Sequence, residues 1–172
     1  MSLVHLSDNL LLVCMNYDQR FLELGHEIPR ATPSVPNGCN FELYRQVGDV
    51  LYLSGNGPFW GEDIPAEFIG KLGESVTPTQ GYNAARLTAI NLLLTLREAV
   101  QTLDNVAQIV SVDGLVNCTP DFTNQSFVIN GCSDLLVNIF GEEGRHTRKA
   151  SGTNALAFGI CVEISLMARV RI

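Results

Sequence analysis

The sequence predicts an α+β domain in which two long helices pack on one face of a mixed sheet. The first observation is the last run, "ICVEISLMARVRI". Ile160, Val162, Ile164, Leu166, Val170 and Ile172 fall on one side, and Cys161, Glu163, Ser165, Met167, Arg169 and Arg171 on the other, which is the two-residue period of a half-buried strand. The second is the stretch from Gly81 to Leu103, where Ala85, Ala89, Leu92, Leu96, Val100 and Leu103 recur at steps of three and four while Arg86, Arg97, Glu98 and Gln101 lie off that face. The third is a further helix from about Asn124 to Phe140, with Val128, Cys132, Leu135, Leu136 and Ile139 on one face and Gly141 where a C-terminal cap belongs. A period that switches between 2 and 3.6 builds a sheet covered on one face by helices.

The other elements follow in chain order. Residues 16 to 25 suit a short helix stopped by Gly25, and "EIPRATPSVPNG" is a Pro-rich connector, so residues 1–40 are expected as an N-terminal extension and 41–172 as the domain. "VGDVLYLSG", bounded by Gly48 and Gly55, reads as a buried strand, and "GNGPFWGEDIP" as a loop. Pro58 and the lack of an immediate helix argue against a dinucleotide reading of the Gly55-x-Gly57 pair. "NVAQIVSVDGLVN" is a strand with Gly114 marking an expected bulge, and "TPDF" turns the chain.

The 172 residues, 46% apolar and 17% charged, suit one soluble domain with a substantial core. A net charge of −7 repels phosphate backbones, and no Lys/Arg run offsets it, which disfavours generic nucleic-acid binding. The cysteines at 14, 39, 118, 132 and 161 are odd in number and form no C-x-x-C pair and no zinc pattern, so reduced thiols in a cytoplasmic protein are expected, with neither metal nor cofactor. His5, His26 and His146 are too scattered to predict a metal site. "LLLVCM" lacks a basic flank and a cleavage site and is too short to span a bilayer; Met15 followed by "NYDQRFLELG" suits a true start.

Chemistry concentrates in "GRHTRKASG", which sets Arg145, His146, Arg148 and Lys149 close together in a chain short of positive charge. Arg145 and His146 follow Glu142 and Glu143 and are expected to offset them and the helix C-terminus, with His146 solvated. Lys149 neighbours Arg148 on a presumed strand and should face away from it. Phe59 and Trp60 in the glycine loop are expected to pack.

These motifs resemble the RidA/YjgF family, also called endoribonuclease L-PSP, of chorismate-mutase-like proteins. The resemblance covers roughly Phe41 to Ile172. It rests on "GDVLYLSGNGP", on "GYNAARLTAINLLLTLREAVQTLDNVAQIVSVDGLVNCTPDF", and on "GRHTRKASG" with Glu163 fifteen residues after Arg148. "GYNAAR" and "VINGCSDLL" look more like a divergent branch of that family, one whose activity is not established, than like its RidA core. The resemblance implies a homotrimer with clefts between subunits, Arg148 clamping a ligand carboxylate, Glu163 placing the water that attacks an imine carbon, and the Gly55 backbone lining the cleft. Three positions depart from the family pattern. Phe41 stands where the best-studied members have a tyrosine, Ala150 where they have a cysteine, and Asn130 matches the family's helix asparagine with one residue inserted after it.

The implied function is hydrolysis of a small reactive 2-imino acid or similar carboxylate metabolite. Arg suits a carboxylate through its paired N–H donors, and Glu can take a proton from an attacking water. The alternative is a non-catalytic protein that binds or senses a small carboxylate, which the replacements at Phe41 and Ala150 favour. A ribonuclease reading comes only from the family's older name and conflicts with the acidic charge.

Overall fold

A computed structural model describes residues 15–31, 33–35 and 39–171. In chain order the elements are α1 (Tyr17–Leu22), β1 (Tyr44–Val47), β2 (Val50–Asn56), α2 (Pro78–Val100), β3 (Val106–Asn117), α3 (Gln125–Phe140), β4 (Thr147–Thr153) and β5 (Val162–Val170), with short 3-10 turns between several of them. The sheet order is β1-β2-β5-β3-β4, and only the β3–β4 pair is parallel. A parallel pair needs a long crossover, and α3 supplies it. The predicted class therefore holds: a mixed sheet with α2 and α3 on one face.

The first of α2's residues is Pro78 rather than Gly81. Thr77 accepts from the Gln80 backbone while the Gln80 side chain accepts from Thr77, a capping box with proline at the first helical position. The helix ends at Val100, and Leu103 is buried on a separate 3-10 turn. Periodicity predicted one covered stripe, yet every residue from Ile90 to Leu96 is buried. The sheet and α3 pack against this helix, and Asn91 within the stretch donates to Gly57 O and Phe59 O of the loop after β2.

That N-terminal segment packs into the same core, where Phe21 is 1% exposed. Arg97 donates to Asp18 at 2.8 and 3.0 Å, and Arg86 to Glu27 at 2.8 and 3.3 Å. These bonds hold both carboxyls below the usual range, against the opposing effect of burial. The cations that lay off the apolar stripe of α2 thus clamp the segment down.

Three expectations are corrected. "VGDVLYLSG" is not one buried strand: β1 and β2 form a hairpin around Gly48-Asp49, with Leu51 and Leu53 buried and Tyr52 44% exposed between them. Gly114 marks no bulge, since it pairs in regular register with Ala150 and Ile164. A Cβ there would sit 2.6 Å from Ile129 Cδ1 of α3, so glycine lets the crossover helix approach the strand. Cys161 does not face outward but is buried in the core just before β5.

Among the described cysteines, Cys39 is exposed and Cys118, Cys132 and Cys161 are buried, all unbridged. Burial pushes the Cys132 and Cys161 thiols up to about 12. The expectation that Met15 is the start concerns residues 1–14, outside the described set. No helix among the described residues is long and apolar enough to cross a membrane.

Candidate functional site

The five residues singled out from the sequence divide into two groups. Arg148 lies on the edge strand β4, and α3 runs past it as the crossover. Its Nη1 donates to Asn130 Oδ1 at 2.7 Å and to Ser133 Oγ at 3.1 Å, both on α3 one turn apart. Asn130 thus sits beside Arg148 despite the inserted residue, because a helix tolerates a one-residue change in the connector that follows it. With Nη1 occupied, the Nε and Nη2 edge of the guanidinium stays available for the two oxygens of a carboxylate.

The second group sits at the other side of the sheet. β2 gains a residue on β5 between Leu53 and Asn56, and Gly55 lies in that bulge. A Cβ on Gly55 would fall 2.6 Å from Glu163 Oε1, so the Glu163 carboxylate lies directly over glycine backbone. Phe41 is exposed and precedes β1, where Ser54 donates to Leu43 O from its backbone and to Glu42 O from its hydroxyl. The chain at Phe41 therefore runs beside the strand that carries Gly55.

Within one chain the two groups do not meet. Arg148 is in register with Val112, and Val112 with Leu166, so Arg148 shares the helix-covered face with these buried residues. Glu163 is three residues from Leu166 and points to the opposite, open face. Two strand spacings and three residue rises separate the positions by about 14 Å. No side-chain rotation brings both to one small ligand.

Neighbouring cations behave as expected in two cases. Arg145 pairs with Glu142 at 2.9 Å on the surface. Lys149 reaches Asp113 at 3.7 Å on the open face, away from Arg148. His146 departs from its expectation: it is half-buried, its Nε2 lies 3.0 Å from Ser133 Oγ, and its Nδ1 lies 2.6 Å from Gly144 O. Burial lowers its pKa most, the Arg148 charge lowers it further, and the Gly144 contact opposes both. Nothing in the sequence pattern pointed to Ser133, because a serine on a helix carries no periodic signal; its pairing needs the crossover to fold back on β4. Phe59 packs edge-on against Phe158 at 6.2 Å, while Trp60 remains 44% exposed.

Among the described residues, no group of three or more His, Cys, Asp or Glu side chains could hold a metal ion. The candidate site sets a cation, an amide, a hydroxyl and an imidazole at one end, and a carboxylate over open backbone at the other.

Comparison with known proteins agrees with the fold. The model of the YjgF/chorismate mutase-like endoribonuclease family matches residues 18–169, from within α1 to within β5. The chain is 38% identical over 148 residues to Protein TCP17 of Trypanosoma cruzi, covering 86% of this chain and 89% of that one. A candidate endoribonuclease from Shewanella oneidensis MR-1 superposes with a TM-score of 0.82 at 29% identity, covering 91% of this chain and 100% of the other. E. coli TdcF, solved with bound serine, shares the fold at a TM-score of 0.55 and 19% identity, with 83% and 94% covered.

Proposed function

The chain belongs to the YjgF/chorismate mutase-like family, and from that premise we propose that it hydrolyses a small 2-imino acid in clefts formed between copies of itself. The observation that carries this reading is the separation of Arg148 and Glu163 onto opposite faces of one sheet. A second copy is needed to set an arginine of one chain against a glutamate of another. Such a contact joins two different surfaces, and it closes into a ring when the rotation permits, as the homotrimer expected from the resemblance would. The open sheet face carries exposed Tyr52 and Met167 beside Ser111, Asp113, Lys149 and Ser165, a surface suited to burial against another copy.

In the proposed reaction Arg148 holds the substrate carboxylate on its free edge. Glu163 accepts a proton from water as the water oxygen bonds to the imine carbon, and passes it to the imine nitrogen to complete the carbinolamine. The carbinolamine's hydroxyl proton then moves to the amino nitrogen, which leaves as ammonia, giving a 2-oxo acid and the free Glu163 carboxylate. A general base placed in this way contributes about 10²- to 10⁴-fold. Bound serine in TdcF, itself a small carboxylate, is in keeping with such a ligand. The setting proposed for this chemistry is the cytoplasm.

The test is 2-oxo acid release from freshly generated 2-iminopropanoate and 2-iminobutanoate by wild type, Arg148→Ala and Glu163→Ala. Acceleration by wild type that both variants lose is expected; acceleration unchanged in either variant overturns that residue's role. Ala150 and Phe41 favour a second reading, a carboxylate-binding protein without turnover. Calorimetric binding of 2-oxobutanoate with no imine hydrolysis would select it.

A further inference from the structure

We propose that His146 is a positioning residue that sets the ligand-binding edge of Arg148 by acting through Ser133. The inference rests on the reading of Arg148 as a carboxylate clamp, and it assigns a role to two residues that reading does not use.

Gly144 O can only accept, so the 2.6 Å contact places the hydrogen of the His146 ring on Nδ1. In the neutral ring Nε2 is then an acceptor, and the Ser133 hydroxyl 3.0 Å away donates to it. A hydroxyl whose hydrogen is committed presents its lone pairs elsewhere, and Arg148 Nη1 donates to them at 3.1 Å. The second Nη1 hydrogen goes to Asn130 Oδ1 at 2.7 Å. One direction of donation runs through every link, from Arg148 to Ser133, from Ser133 to His146 and from His146 to the backbone of Gly144.

This chain has a mechanical consequence. Arg148 lies on an exposed edge strand, where a long side chain would otherwise sample many rotamers. Two acceptors fix both hydrogens of Nη1 and so fix the guanidinium plane, which lowers the entropy lost when a carboxylate docks. Asn130 supplies one acceptor from its own amide. His146 takes the Ser133 proton and so keeps the hydroxyl from turning its hydrogen toward Arg148, where it would repel the guanidinium.

The prediction separates this role from mere packing. Ser133→Ala and His146→Leu should each weaken 2-oxobutanoate binding, and raise KM for 2-iminobutanoate, by about tenfold, one hydrogen bond's worth. kcat should change little, since the clamp holds ground state and transition state alike. His146→Gln, which keeps an acceptor toward Ser133, should restore most of the loss, and the double variant should be no weaker than either single one. Independently of any ligand, ¹⁵N NMR of the His146 ring at neutral pH should show the Nδ1–H tautomer.

A dominant Nε2–H tautomer overturns the proposal. So does binding that falls in Arg148→Ala but not in the Ser133 and His146 variants, which leaves the clamp standing. Binding unaffected by Arg148→Ala defeats the clamp reading itself, and this proposal with it.

Discussion

The Arg148 end and the Glu163 end of the candidate site are built by different means. Arg148 stands on an edge strand and is held by side chains of the crossover helix, through Asn130 and Ser133. Glu163 stands on the interior strand β5 and rests over the bare backbone of Gly55. An edge residue has lost the neighbour on one side and needs partners to hold it. An interior one is flanked by two strands and needs only room. The proposed binding end is thus held by a side-chain network, and the proposed reacting end is opened by the absence of a side chain.

The sharpest way to break this contrast is activity. If both ends serve one cleft, Arg148→Ala and Glu163→Ala should each lower kcat/KM for 2-iminobutanoate by about 10²-fold or more. The first should act mainly through KM and the second through kcat. Mixing the two inactive variants under conditions of subunit exchange should restore roughly a quarter of the wild-type rate, because random assembly sets an intact Arg148 against an intact Glu163 in one cleft of four. No recovery in an exchanged mixture would place both residues' work within single chains, against the separation of about 14 Å that strand spacing sets between them.

Glycine at 55 tests the reacting end. Gly55→Ala would drive a methyl to 2.6 Å from Glu163 Oε1, so kcat should fall by about tenfold while the thermal midpoint moves little, since the flexible end of a glutamate can shift. Gly114→Ala makes the converse case. There the obstacle is Ile129 inside the core, and stability should drop by about 1–3 kcal/mol in urea unfolding.

The smallest effect concerns pH at the binding end. His146 has its pKa depressed in the folded chain below the ordinary 6.5, by burial first. Between that depressed value and 6.5 the unfolded chain binds more protons, so its contribution to stability is complete above 6.5 and is lost as pH falls through the window. Urea midpoints from pH 7.5 to 5.5 should fall more for wild type than for His146→Gln. Asp18 and Glu27 are also depressed, by Arg97 and Arg86, but their losses lie lower, below the ordinary 3.8 and 4.5.

The helices and β5 were legible because burial on one side imprints a period, and α3 ends at Gly141 where expected. The β1–β2 hairpin was not, since its four-residue first strand is exposed throughout and leaves no apolar pattern. Gly114 was misread for a related reason: glycine in a strand signals close approach as well as bulges, and only the partner, Ile129, distinguishes them. In the site, Arg148, Glu163 and Gly55 came from ordered motifs, whereas Ser133 and the buried state of His146 had no sequence signal.

What the sequence by itself determined is therefore the α+β class, the family resemblance and the chemical types at the site, because these depend on local period and spacing. Which residues share a face, which cations are consumed by Asp18 and Glu27, and that Arg148 and Glu163 cannot meet in one chain were decided only by tertiary structure. The physical reason is that strand order and register act between segments far apart in sequence. A shift of one residue in register would turn Glu163 to the other face and leave the period along the chain unchanged.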